Sequence, residues 1–154
     1  MLAFVVVLVS LDILTKVIAS TNLINGSFEL IPNFFYFTYV ENTGAAFGMF
    51  SGNTVFLVIF TLVFIVIFIL FDVFNHSNNL FYRFGYVLVF SGAIGNFIDR
   101  IWFKYVRDFI SIKIFPFVFN LADIFITVGV VLLAIYIIFY LFKSEDKPEN
   151  KESK

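Results

Sequence analysis

Three aspartates, Asp99, Asp108 and Asp123, fall within 25 residues of one another in a chain that has only seven acids ahead of its terminal tail. Each sits in a short polar word: Gly95-Asn96-Phe97-Ile98-Asp99-Arg100, Val106-Arg107-Asp108-Phe109 and Asn120-Leu121-Ala122-Asp123. Carboxylates gathered in this way can share a proton and act as acid and base on a bound water. Two carboxylates about 4 Å apart at an effective dielectric near 20 repel by about 4 kcal/mol. That is on the order of three pKa units, enough to lift one Asp from about 4 toward 7. Asn42-Thr43-Gly44-Ala45-Ala46-Phe47-Gly48 adds amide and main-chain groups, and its glycines permit close approach of a bound chain.

The elements that hold these words are greasy. Of 154 residues, 61% are hydrophobic and 25 are Phe, with a mean hydropathy of +1.00. A soluble domain of this size cannot bury so much apolar surface, so lipid is the expected solvent and a partner of the chain. The net charge of -1 offers no basic face for nucleic acid. There is no cysteine and a single histidine, His76, too few soft ligands for a zinc site of the usual kind. A carboxylate-bound metal stays open on composition alone.

A bilayer core about 30 Å thick needs roughly 20 apolar residues. Four segments meet this: 1–18, 54–71, 80–98 and 124–142, the first interrupted by Asp12 and Lys16. The first has no basic start, and its charges follow the apolar run, so it reads as a span and not a cleaved leader. Four spans put both termini on one side. Residues 72–83 read as a polar connection, and 143–154 as a disordered tail beyond a single membrane domain over 1–142. On the opposite side, 34–40 is rich in aromatic and β-branched residues and 110–114 alternates, so both read as strands of a small interfacial sheet. The fold class is therefore a membrane four-helix bundle with a small β element. Lys and Arg number five on the termini side and four on the other, which leaves orientation open.

Each polar residue also has a plainer role. Asp12 and Lys16, spaced i, i+4, pair with each other near the membrane edge or act as a strut for loop backbone at the site. Asn120 and Asp123 have the spacing of a helix start. Asp99 is expected just past the third span, offset by Arg100, and Asp108 in a loop as a solvated acid. Gly92, Ala93 and Gly95 form the small surface that lets membrane helices approach closely.

In these blocks, together with Asp12-Ile13-Leu14-Thr15-Lys16 and Phe119-Asn120-Leu121-Ala122-Asp123, the chain resembles the signal peptidase II family of bacterial membrane aspartic proteases. The resemblance spans nearly the whole chain. It implies cytoplasmic termini in the bacterial inner membrane, an extracytoplasmic β-cradle and loop, and a catalytic pair at Asp108 and Asp123. Asp12, Lys16, Asn42, Asn96, Asp99, Arg100 and Asn120 become supports for substrate or for the pair, with Asp99 the first substitute as a pair member. The implied substrate is a prolipoprotein whose diacylglyceryl-bearing cysteine follows the cut. No metal or organic cofactor is called for, and the chain is expected to act as a monomer. Arg107 stands where an apolar residue is expected, and the stretch from Asp108 to Asp123 is a few residues short; both bear on the shape of the cradle.

Two rival readings differ in class. A small proton-coupled transporter uses membrane carboxylates as relays, but favours an acid deep in a span and repeated halves, and no repeat is visible. A non-enzymatic assembly factor leaves the clustered Asp and Asn residues without a purpose.

Overall fold

The structure, a computed structural model, describes residues 1–45, 49–75 and 77–145. Four helices are long and apolar enough to cross a membrane. They are α1 (Leu2–Asn22), α2 (Thr54–Asn75), α3 (Leu80–Phe103) and α4 (Leu121–Glu145). Four strands, β1 (Phe28–Ile31), β2 (Phe35–Asn42), β3 (Val106–Ile112) and β4 (Val118–Phe119), form one antiparallel sheet in the order β1-β2-β3-β4. The α1–α2 and α3–α4 connections both belong to this sheet, so it lies at one end of the bundle. Ala46, Phe47 and Gly48, His76 and the tail 146–154 lie outside the described residues.

Helix α3 is the hub, packing on α1, α2, α4 and β3. Its small residues explain why. A Cβ on Gly85 would lie 2.9 Å from the Gly129 carbonyl oxygen, and one on Gly129 would lie 2.8 Å from that of Gly85. Only glycine at both positions allows α3 and α4 to cross this closely. Farther along α3, a Cβ on Gly95 would run into the Asp12 carboxylate. The inward stripe of α1 is Val5, Asp12, Lys16 and Ala19, a helical spacing, so its two charges face protein while the rest of the helix is apolar.

Several boundaries differ from the sequence reading. The third span continues five residues beyond 98, to Phe103, where Lys104 takes a left-handed conformation (φ 71°) and its N–H bonds the Arg100 carbonyl. Asp99 therefore lies inside α3 and not after it. Asp108 lies in β3, paired with Val40 of β2 and 2% exposed, and not in a solvated loop. The strand expected over 110–114 ends at Ile112: the Phe115 N–H turns back to the Ile112 carbonyl at 2.8 Å, just ahead of Pro116. The connection expected over 72–83 is shorter, since Asp72 and Arg83 are both helical. Strands β1 and β4 were not anticipated. Ala19, Phe109 and Ile110 form the core under the sheet, with Phe35, Phe37 and Phe119 packed around it.

Candidate active site

Helix α4 starts with a reciprocal cap. The Asp123 N–H donates to Asn120 Oδ1, and the Asn120 N–H donates to Asp123 Oδ2, both at 3.1 Å. The plain helix-start reading of these two residues is thus correct, and the cap also fixes the Asp123 carboxyl. Its other oxygen, Oδ1, accepts from Asn96 Nδ2 at 2.8 Å. The Asn120 side chain, fully buried, donates from Nδ2 to Asp108 Oδ1 at 2.6 Å and to Asn96 Oδ1 at 3.2 Å. One asparagine thereby touches both acids, through its main chain on one side and its carboxamide on the other.

Asp108 enters from β3. Its second oxygen accepts from Asn42 Nδ2 at 2.9 Å, from the end of β2. Asn42 is held in that orientation because its Oδ1 accepts the Gly44 N–H at 2.9 Å. Burial, followed by the nearby Asp123 charge, pushes the Asp108 carboxyl up to about 7, against the opposing pull of Asn42, Asn120 and Lys16. A carboxyl so placed exchanges its proton near neutral pH.

A buried polar network backs the pair. Lys16 Nζ lies 2.8 Å from Asp12 Oδ2, donates to Asn96 Oδ1 at 2.9 Å, and stands 3.5 Å from Asp99 Oδ2. A cation on Asn96 Oδ1 turns the Asn96 NH₂ toward Asp123. Asp12 Oδ1 in turn accepts the Ala122 N–H at 2.9 Å, gripping the first turn of α4. Asp12 and Lys16 thus pair with each other as their spacing suggests, but Lys16 also reaches Asn96 and Asp99, and the main chain that Asp12 holds is the first turn of α4 and not a loop. The cost of burying such ions is offset only when each is paired and hydrogen-bonded, as here.

Asp99 is fully buried and bound through both oxygens to Arg107, with no place in the cavity lining. Its closest cations are Arg107 and Lys16, not the adjacent Arg100 of the sequence expectation. Arg100 instead donates to the Gly44 carbonyl at 3.2 Å, tying α3 to the segment after β2.

Asp108 and Asp123 face an open cavity of about 540 Å³, whose walls include Asn42, Asn96, Arg100 and the Pro116–Phe119 run. Of the residues singled out from sequence, Asn42, Asn96, Arg100, Asp108 and Asp123 reach this cavity, while Asp12, Lys16, Asp99 and Asn120 lie behind it. The Pro116–Val118 wall was missed. Its signal was Pro116 within an aromatic run just ahead of Asn120. Pro116, Phe117, Val118 and Phe119 thus give the cavity an apolar wall.

The chain matches known proteins over most of its length. The family described as signal peptidase (SPase) II matches residues 4–139. The lipoprotein signal peptidase of Caldanaerobacter subterraneus subsp. tengcongensis is 42% identical over 139 residues, covering 90% of this chain and 95% of that protein. A Staphylococcus aureus lipoprotein signal peptidase is 40% identical over 153 residues, covering 97% and 91%. A solved bacterial membrane enzyme, determined in meso at 2.3 Å, superposes with a TM-score of 0.81 at 39% identity, covering 99% of this chain and 93% of that one. A second, at 1.9 Å, gives 0.79 at 38% identity over 88% and 90%. With four spans, a sheet at one end and a match over most of its length, the chain belongs to the signal peptidase II family of peptidases.

Proposed function

We propose that this protein is a membrane aspartic endopeptidase that removes signal peptides from diacylglyceryl-modified prolipoproteins, cutting before the lipidated cysteine, with Asp108 and Asp123 as the reacting pair. The observation that carries the reading is the pair's arrangement: one buried asparagine bonded to both carboxyls, both carboxyls facing one cavity, and one of them raised to about 7. Such a pair holds a single proton between pH extremes and titrates as a unit.

The chemistry follows from that single proton. The ionised carboxylate accepts a proton from a water in the cavity as the water oxygen attacks the scissile carbonyl carbon. The protonated partner donates its hydrogen to the carbonyl oxygen, giving a neutral gem-diol. The carboxyl that took the water's proton then gives it to the amide nitrogen, while the other, now ionised, takes a proton from one gem-diol hydroxyl. The C–N bond breaks, releasing the amine, leaving the signal peptide with a new carboxyl group and returning the pair to its one-proton state. The asparagines hold both acids through every change of charge. No rearrangement of the support is needed during the step.

Cytoplasmic termini, with the sheet and cavity on the extracytoplasmic side of a bacterial inner membrane, suit this substrate. The signal helix and acyl chains remain in lipid while the cleavage bond rises to the polar rim. A proton-coupled transporter finds less support, because Asp12, an acid within a span, is sealed at 0% exposure and committed to Lys16 and the Ala122 N–H.

The test is cleavage of a diacylated prolipoprotein by detergent-purified variants. Asp108→Asn and Asp123→Asn are expected to stay folded, with thermal transitions like the parent's, and to show no cleavage. Parental rates from either variant overturn the assignment.

A further inference from the structure

Arg107 is 5% exposed and binds one acid through its main-chain N–H, Nε and Nη2. Its main-chain N–H bonds Asp99 Oδ2 at 3.0 Å, Nη2 bonds Oδ1 at 2.7 Å, and Nε lies 3.3 Å from each oxygen. Its guanidinium carbon sits 4.4 Å from the Phe103 ring centroid. Successive strand residues face opposite ways. Accordingly, Arg107 reaches back to α3 while Asp108, the next residue, reaches Asn42 and Asn120. We infer that Arg107 is a positioning residue for cleavage: its forked ion pair with Asp99 anchors β3 to α3 one residue before Asp108, and it leaves Lys16 committed to Asp12 and Asn96. This rests on the reading of Asp108 and Asp123 as the reacting pair.

The charge balance shows why a second cation matters. Asp12 and Asp99 are both fully buried, and Lys16 lies within 3.5 Å of each. An apolar side chain at 107, the type expected there from the family resemblance, leaves one ammonium to serve two acids. Asp99 then draws Lys16 away from Asn96 Oδ1, and the Asn96 carboxamide loses the contact that turns its NH₂ onto Asp123. Two effects follow together: a misaligned pair, and one positive charge fewer near Asp108. The charged groups around Asp108 are Asp123 on α4, Lys16 and Asp12 on α1, Asp99 and Arg100 on α3, and Glu41 on β2, whose register partner is Arg107 itself. Strand β4 contributes none. Removing a cation from this set favours the protonated pair, so the alkaline limb of activity moves up.

The experiment uses the full chain in detergent, cleaving a diacylated prolipoprotein, with kcat and KM followed against pH and folding checked by thermal unfolding. Arg107→Leu is expected to lower kcat by about tenfold or more, change KM by less than about threefold, and raise the alkaline limb by about half a pH unit or more. Arg107→Lys keeps the charge but loses the fork. It returns the limb to the parental position with only partial recovery of kcat. Arg107→Leu combined with Asp99→Asn removes both charges, so its limb returns and Lys16 stays on Asn96, while kcat remains below parental because β3 has lost its anchor to α3. If Arg107→Leu alone does not fold, the neutral double variant decides: low kcat with a parental limb supports the inference, and parental kcat overturns it. Activity that falls only with the folded fraction, with no limb moved in Arg107→Leu, reduces Arg107 to structural support and also overturns it. Parental cleavage by Asp108→Asn is a separate outcome, sinking the reacting pair itself.

Discussion

Replacing Lys16 by Met removes the cation at the centre of the buried network while keeping a side chain of similar length. Its influence on Asp108 can be bounded from the structure. Lys16 Nζ reaches Asp108 Oδ1 through three contacts in series, of 2.9, 3.2 and 2.6 Å, by way of Asn96 and Asn120. The charge therefore stands within about 9 Å of the carboxyl, which at an effective dielectric near 20 corresponds to about 2 kcal/mol. Dividing by 1.36 kcal/mol per unit gives roughly 1.4 pKa units. Lys16 pulls the Asp108 carboxyl down, so its loss lets that carboxyl rise above about 7. The pair then keeps its working proton to higher pH, and the alkaline limb of kcat/KM moves from about 7 to about 8 or above. The maximum rate falls at the same time, because Asn96 is no longer held. Breaking a buried ion pair also costs about 3–5 kcal/mol of stability, so the assay is run well below the thermal transition, on diacylated prolipoprotein from about pH 5 to about pH 10. An alkaline limb that stays in place or moves down refutes this electrostatic reasoning.

The parent enzyme itself should lose kcat/KM about tenfold per pH unit above about 7. This is the direction given by a raised Asp108 carboxyl that must hold a proton to work. Gly95→Ala places a methyl group against the Asp12 carboxylate, with Cγ at 3.1 Å; it should cost about 1–3 kcal/mol and reduce cleavage, seen as a lower thermal midpoint and a lower kcat. Gly129→Ala, which meets Val89 and the Gly85 carbonyl, should lower the midpoint similarly but leave the pH limb unchanged. Asp99→Asn should give partial loss in the cleavage assay; complete loss there, alongside an active Asp108→Asn, moves the reacting pair to Asp99 and Asp123.

Much of the scaffold could be read from the residues because lipid imposes a blunt rule. Apolar runs of about 20 residues span even when a charge or two interrupts them, and the four runs found are the four long helices. The β2 strand was legible for a similar reason, its aromatic and β-branched density having few other uses. Helix ends were not. Asp99 was expected just past the third span because the apolar run ends at Ile98, even though a helix C-terminus repels an acid. What pairs its buried carboxylate inside α3 is Arg107, eight residues later and on a different element, which no local pattern reveals. Asp108 looked solvated for the converse reason. Its partners Asn42 and Asn120 come from β2 and the start of α4, and only sheet pairing brings all three together. The Asp12 and Lys16 face was predictable from spacing, whereas its grip on the Ala122 N–H depends on the missing Cβ of Gly95 and the three-dimensional crossing.

The cap shared by Asn120 and Asp123 has a consequence for how the protein matures. Because the carboxyl of Asp123 closes the opening turn of α4, that acid acquires its orientation when the helix winds, before any substrate arrives. Drift of this group requires fraying the helix end, so its precision is inherited from secondary structure and not from loop closure. Sequence change in the surrounding loops can then retune which precursors fit while leaving the proton-handling geometry untouched.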